Sequence, residues 1–253
     1  MITQLNTITV GDALEYLEAL PPASVPLFLF SPPYNLGHDS RRTTSKKAWQ
    51  AKIVTDGYDT FDDAMPSDEY INWQHSILRA CWRALASNGA IFYNHKPRVL
   101  DGVLVEPRIY VPSDLVIRQR IIWARGGGLN HSAMFYLPTY EEILVLAKPL
   151  FRLRSRGAGT MGDVWNISCV QSSWHPAPFP LPLAERVMET VRPALVCDPF
   201  MGSGTTAKAA KRYGIDWMGC EKSAAYAARA TLEIEAIQPR ALAMIADQEE
   251  MFV

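Results

Sequence analysis

Apolar residues in this chain gather into short runs that end in small or polar residues, with longer amphipathic stretches between them. Val25 to Phe30 reads VPLFLF, too continuous for a half-exposed strand and typical of one buried on both faces. It runs straight into Ser31-Pro32-Pro33-Tyr34. Ser67 to Leu85 is predicted to be a helix, opened by Ser67, with Asp68 and Glu69 in the first turn where carboxylates suit the helix dipole. Asn88-Gly89 is the expected stop, and Ala90 to Tyr93 the next strand. Further strands are predicted at Arg120 to Ala124, Ile143 to Ala147, Leu195 to Cys197 and Trp217 to Cys220. Helices are predicted over Ala184 to Val191, from Thr205 to Arg212, and from Ala224 onward. Strands alternating with helices predict an α/β fold with a mostly parallel sheet.

Length and composition fit that picture. The 253 residues suffice for one large α/β domain, so residues 1–253 are expected to form a single unit. Hydrophobic residues make up 48% and charged residues 20%, ordinary for a globular enzyme. No apolar run approaches the roughly 20 residues of a membrane span, and the N-terminus lacks the layout of a signal peptide. Cys81, Cys169, Cys197 and Cys220 are widely spaced and read as buried thiols in a bacterial-type cytoplasm. The five histidines have no ligand spacing, so no metal is implied; His175 sits in the segment His175-Pro176-Ala177-Pro178-Phe179-Pro180, and the rest read as surface or packing residues.

A net charge of −1 does not advertise a nucleic-acid partner, but the local charge does. Three stretches, 35–65, 125–138 and 152–182, resist assignment and are long enough to be functional loops. Each combines Arg or Lys with aromatic or Gly residues. The first carries Arg41, Arg42, Lys46, Lys47 and Lys52 around Trp49, and a second basic run holds Lys148, Arg152, Arg154 and Arg156. Basic loops grouped on one face can bind a polyanion whatever the total charge.

Two motifs carry chemistry. Asp198-Pro199-Phe200-Met201-Gly202-Ser203-Gly204-Thr205-Thr206 follows a strand and opens a helix. Glycines there let a ligand approach the backbone and leave helix N–H groups facing it, and Glu221, ending the next strand, is placed to accept from ribose hydroxyls. The chain has no G-x-x-x-x-G-K-S/T loop, and G-x-G-x-x-G is incomplete, so the loop suits a nucleoside without a phosphate chain. In Ser31-Pro32-Pro33-Tyr34, the prolines withhold N–H groups, so their carbonyls can face a ligand. Ser31 adds a hydroxyl acceptor and Tyr34 a flat apolar face. That set suits an aromatic amine, whose conjugated lone pair becomes nucleophilic when acceptors grip its N–H protons.

Together these residues resemble the DNA amino-methyltransferase family of N6-adenine and N4-cytosine enzymes. Its marks are an Asp/Asn/Ser-Pro-Pro-aromatic tetrapeptide and a D-P-F-x-G-S-G-T-T loop. Gly11-Asp12-Ala13-Leu14 resembles the family's acidic contact to the cofactor adenine, Tyr140 to Leu146 the strand that shapes the base pocket, and His175 to Pro180 the segment closing over the methionine part. The tetrapeptide precedes the cofactor loop, the permuted order of the beta group. The resemblance implies an open doubly wound sheet of class I, Rossmann-like, with S-adenosylmethionine as cofactor and S-adenosylhomocysteine as product. It places Asp12, Ala13, Asp198, Pro199, Phe200, Gly202, Ser203, Gly204, Thr205, Glu221 and Lys222 at the cofactor, with Phe179 near the sulfonium. Ser31, Pro32, Pro33 and Tyr34 would hold the target amine of a base flipped from double-stranded DNA.

Two clues to the base disagree. Serine at the first position is commoner in cytosine enzymes, whereas the P-P-Y-N continuation with Asn35 looks like the adenine branch, and the preference here goes to adenine N6. DNA contacts are expected from Asn35, Arg41, Arg42, Lys46, Lys47, Trp49, Arg125, Asn130, Arg152, Arg154 and Arg156, on recognition loops at about 35–65, 125–138 and 152–175. The small recognition region implies a homodimer. No cysteine sits in a proline-cysteine turn, so transfer is expected to be direct, with no covalent intermediate. Methylation of RNA or of a protein glutamine, and an inactive cofactor-binding regulator, are the competing readings. Membership of a restriction system and solitary action both fit.

Overall fold

The structure, a computed structural model, describes residues 4–35, 65–127, 132–155, 157–170, 174 and 178–240. Strand β1 (Thr7–Val10) leads into helix α1 (Ala13–Ala19), β2 (Val25–Phe30), α2 (Ser67–Ala84) and β3 (Leu85–His95). A hairpin, β4 (Arg98–Leu100) and β5 (Val103–Val105), is followed by β6 (Ile117–Ala124), β7 (Tyr140–Ala147) and β8 (Val164–Asn166). Then come α3 (Leu181–Val191), β9 (Leu195–Asp198), α4 (Thr205–Arg212), β10 (Asp216–Glu221) and α5 (Ala224–Glu235).

Eight strands form one sheet in the order β1-β10-β9-β2-β3-β7-β6-β8. Only β7 runs against its neighbours; the other pairings are parallel. The expected open, mostly parallel α/β sheet is therefore the observed one. Successive residues of the central strands feed opposite cores. Phe28, Phe30, Ile91 and Tyr93 pack with Leu17, Ile77 and Leu78 of α1 and α2, while Leu27, Leu29 and Phe92 pack with Leu183, Val187 and Ala207 of α3 and α4. Burial on both faces is why β2 reads as an unbroken apolar run.

Three local expectations change. Helix α2 is preceded by Pro66 at the N-cap, so Ser67 is its first residue and makes no capping bond. The helix ends at Ala84, one residue short of the expected Leu85, and β3 starts at Leu85 instead of Ala90 because Leu85 turns extended and pairs with Val25. Burial of Leu85 at the sheet overrides its helical propensity. Cys169 is exposed, while Cys81, Cys197 and Cys220 are buried.

The topology sets the site. Because β7 alone is reversed, the carboxyl ends of β1, β10, β9, β2, β3, β6 and β8 and the start of β7 share one edge of the sheet. From the adjacent pair β9 and β2 the chain winds outward in opposite directions, so the switch point, where α/β sheets open a crevice, lies between them. No helix among the described residues is long and apolar enough to cross a membrane.

Candidate active site

On one side of the switch point stands the loop from Asp198 to Thr205. Asp198 is buried, and its Oδ1 accepts the Phe200 N–H at 2.9 Å. The Met201 N–H donates to the Cys220 carbonyl at 2.8 Å and the Gly202 N–H to Glu221 Oε2 at 2.8 Å, so the loop is laced to β10. Gly204 holds the helix N-cap in the left-handed region, with φ 76°, and no side chain caps α4. Its first N–H groups are therefore left for a ligand. Glu221 Oε1 takes the Ser223 N–H at 2.9 Å, and each carboxylate oxygen keeps acceptor capacity for a ribose hydroxyl. Asp12 caps α1, accepting from the Leu14 and Glu15 N–H groups through Oδ1, with Oδ2 3.9 Å from Lys222 Nζ. Ala13 begins that helix.

On the other side is the turn after β2. Tyr34 OH donates to Glu141 Oε2 at 3.0 Å, and Ser31 Oγ lies 2.6 Å from Tyr34 OH. A phenol has one proton. Since Tyr34 gives it to the carboxylate, Ser31 must donate to Tyr34, which leaves the Ser31 lone pairs as acceptors. Asn94 Nδ2 donates to Tyr34 OH at 2.9 Å and to Glu141 Oε2 at 2.8 Å, and reaches Ser31 Oγ at 3.4 Å. Arg125 pairs with Glu141 Oε1 at 3.1 Å and donates to the Pro138 carbonyl. The Tyr34 ring lies 4.7 Å from the ring of His95.

The expectation that both proline carbonyls face a ligand is corrected at Pro33, whose carbonyl accepts the buried Tyr70 hydroxyl at 2.6 Å. Tyr70 also receives Gln74 Nε2 at 2.7 Å and meets His95 Nε2 at 3.0 Å, so the back of the turn is a buried polar network. Ser31 is an acceptor of the turn that lines the cleft. That cleft is lined by Ser31, Pro178, Phe179, Phe200, Met201, Gly202, Ser203 and Thr205, and it brings the tetrapeptide, the glycine loop and Phe179 together.

Burial pushes Asp198 from its ordinary 3.8 up to about 7, and burial, followed by the Arg98 charge, lowers His95 from 6.5 to about 3. The signs are opposite. Folded Asp198 holds its proton more tightly than the unfolded chain does, so its contribution to stability is lost as pH rises from about 4 to 7. Folded His95 rejects a proton that the unfolded chain takes up, so its contribution is lost as pH falls from about 6.5 to 3. In the overlap the two partly cancel. Asp198→Asn should therefore gain stability with rising pH more steeply than the parent between pH 4 and 7, in urea midpoints measured across that range. Parallel curves for the two proteins would disprove it.

The expected DNA contacts divide sharply. Asn35 is buried in a left-handed conformation, its Nδ2 donating to the Met65 carbonyl at 2.8 Å and its own carbonyl accepting from Arg98 at 2.9 Å. This places the side chain inside the fold, with its Oδ1 buried and without a hydrogen-bond partner among the described residues. Arg125 is held on Glu141, behind Tyr34. Arg152 donates to the Pro149 and Phe151 carbonyls, and Arg154 is exposed at the surface. Arg41, Arg42, Lys46, Lys47, Trp49, Asn130 and Arg156, with Lys52 and His175, lie outside the described residues. A second, open cavity of about 350 Å³, lined by Arg125, Thr139, Asn166, Ile167 and Ser168 among others, lies beside Arg125 on the same edge. Sequence reading missed Asn94, His95 and Arg98 and gave Glu141 no role of its own. The available signal was polar residues closing apolar strands, Asn94-His95 after AIFY and Glu141-Glu142 before ILVL. Among the described residues no group of His, Cys, Asp and Glu could hold a metal ion.

A parallel sheet with a glycine loop and acidic strand ends on one side of its switch point, and a proline turn presenting an acceptor on the other, has the architecture of a class I methyltransferase. The chain belongs to the DNA methylase family, whose profile matches residues 25–232. It is 28% identical over 257 residues to the type II methyltransferase M.BglII of Bacillus subtilis, covering 86% of this chain and 65% of that relative. It is 25% identical over 249 residues to M.ScaI of Streptomyces caespitosus, covering 83% and 75%. This chain thus spans just under two thirds of the length of M.BglII. In fold it resembles the cytosine-N4-specific PvuII DNA methyltransferase, with a TM-score of 0.71, 20% identity and coverage of 97% of this chain and 91% of that one. M1.HpyAVI in complex with SAM gives a TM-score of 0.57 at 17% identity, covering 90% and 98%.

Proposed function

We propose that this protein transfers a methyl group from S-adenosylmethionine to the exocyclic amine of a base flipped out of double-stranded DNA. The observation that carries it is the single cleft shared by Ser31, Phe179 and the Phe200–Thr205 loop. The nucleoside fits the other features of this edge: Glu221 retains acceptor capacity, Gly202 lines the cleft without a side chain, and two phenylalanines flank it. Bound there, the cofactor supplies an electrophilic methyl on a sulfonium. The chain's part is to hold the amine. Ser31, locked as an acceptor by Tyr34, takes an amine N–H and favours the pyramidal nitrogen on which the lone pair is free. The tetrapeptide lies ahead of the loop in the chain, which supports the beta-group order.

For the base, cytosine N4 moves ahead of adenine N6 in this proposal. Asn35, the feature favouring adenine, is buried with its Nδ2 on the Met65 carbonyl, whereas Ser31 lines the cleft. Incubation of bacterial genomic DNA with the protein and labelled S-adenosylmethionine, followed by nucleoside mass spectrometry, tests both levels. Labelled N4-methylcytosine is expected; labelled N6-methyladenine would reverse the base, and label in neither would overturn the function. The recognition loops at 35–65, 125–138 and 152–175 and a homodimer complete the proposal. Val103, Leu104 and Val116, which are 65%, 59% and 64% exposed, offer the second subunit an apolar surface. A monomeric mass by sedimentation, with and without DNA, would rule the dimer out.

A further inference from the structure

We infer that Glu141 is the final proton acceptor of the transfer step, reached through Ser31 and Tyr34; this rests on the function proposed above. The observation is an unbroken chain of hydrogen bonds from the cleft to a buried carboxylate. Ser31 Oγ is 2.6 Å from Tyr34 OH, which is 3.0 Å from Glu141 Oε2. Both separations lie within the range for proton transfer. Glu141 is 6% exposed. Placing a carboxylate and a guanidinium there costs solvation and is poor evidence of a stabilising role, so the pair calls for another reason.

The step balances. The amine lone pair forms the new N–C bond, and the electron pair of the breaking C–S bond stays on sulfur. The nitrogen is left with one proton too many. It passes that proton to Ser31 Oγ as Ser31 gives its own to Tyr34 and Tyr34 gives its own to Glu141 Oε2. A positive sulfur and a negative carboxylate at the start become a neutral thioether and a neutral carboxylic acid at the end. The net charge of the site is unchanged by the step, and the positive charge that remains is that of Arg125, whose partner Glu141 is then neutral.

The groups facing Glu141 come from four places. Arg125 after β6 holds Oε1, Tyr34 after β2 and Asn94 of β3 hold Oε2, and Cys169 beyond β8 is near enough to feel both Glu141 and Arg125. Arg125 is the cation paired with the carboxylate, and Asn94 spans the Tyr34 hydroxyl and the carboxylate. Glu141 thus acts through Tyr34, as a positioning residue that also takes the proton.

The test uses single turnovers on bacterial genomic DNA with labelled cofactor, across pH. The parent rate should fall on the acid side as Glu141 takes up a proton beforehand. Glu141→Gln should slow the step by about 10²-fold and lose that acid limb. Tyr34→Phe keeps the ring and the carboxylate but cuts the chain, and should flatten the profile as Glu141→Gln does; it also serves if Glu141→Gln fails to fold. Infrared difference spectra over one turnover should show a newly protonated carboxyl in the parent and none in Glu141→Gln. Calorimetric affinity for S-adenosylhomocysteine should match the parent in both variants. Loss of rate with an unmoved acid limb, or a parent rate in Glu141→Gln, overturns the relay alone. A parent that labels no base overturns the proposed function and the relay with it.

Discussion

A Ser31→Ala protein should bind S-adenosylhomocysteine as tightly as the parent and transfer methyl groups about 10²- to 10³-fold more slowly, the usual loss when one preorganised partner of a transition state is removed. The reason lies in the direction of the hydrogen bonds. Glu141 can only accept from Tyr34, so Tyr34 accepts from Ser31, and the serine oxygen offers lone pairs to the amine. Alanine removes that acceptor and leaves Tyr34 on Glu141 and Asn94. Nothing in the glycine loop depends on the hydroxyl, so cofactor affinity should stay. The loss should fall on kcat, because the grip on the amine strengthens as its nitrogen becomes pyramidal. Isothermal calorimetry and steady-state kinetics on the same preparations separate the two. A raised KM with kcat preserved would show that Ser31 merely holds the base in its ground state.

The residues this prediction uses were only half legible in the chain. Ser31-Pro32-Pro33-Tyr34 and the Asp198–Thr206 loop are local: each follows an apolar run, and the chemistry is written in consecutive residues. Asn94, Glu141 and Arg125 are not local. They end β3, begin β7 and follow β6, and they meet Tyr34 only because β7 is reversed between two strands running the other way. Periodicity identifies a strand without giving its neighbours or direction, so no spacing in the sequence could bring those three together. The same limit explains Asn35. Its place after Tyr34 suggested a reading side chain, whereas a left-handed backbone turns it back onto Met65.

Some of the fold was missed for other reasons. The strand β1 is short, half-exposed and at the sheet edge, so TITV lacks the apolar run that revealed β2. The β4–β5 hairpin did carry a signal. Asp101-Gly102 joins the two strands with φ values of 50° and 81°, the left-handed pair that a two-residue hairpin turn demands. The start of β3, expected at Ala90 and found at Leu85, is a contest between local and long-range forces. Asn88-Gly89 is a sound local stop, but pairing of Leu85 with Val25 draws the chain into the sheet several residues sooner.

Gly219 shows where close packing rather than chemistry governs the cofactor side, and Gly219→Ala should cost about 3 kcal/mol, at the upper end for an overpacked core. Gly219 lies mid-strand in β10 opposite Asp198, at the foot of the glycine loop. A β-carbon there would collide with the Met201 methyl and with the Asp198 carbonyl oxygen. The methionine end can swing aside, but the carbonyl belongs to the backbone that begins the loop. Relief therefore requires β9 and β10 to part, which strains the bonds from Met201 to Cys220 and from Gly202 to Glu221. For a protein of this size the melting temperature should drop by roughly 6–12 °C. The rise in melting temperature on adding S-adenosylhomocysteine should shrink as well, because the loop that receives the nucleoside is the part displaced. Gly162→Ala is the control, since a β-carbon there meets nothing within 4 Å. If Gly219→Ala melts within about 2 °C of the parent and keeps the full ligand-induced rise, the loop is not seated on β10 as described.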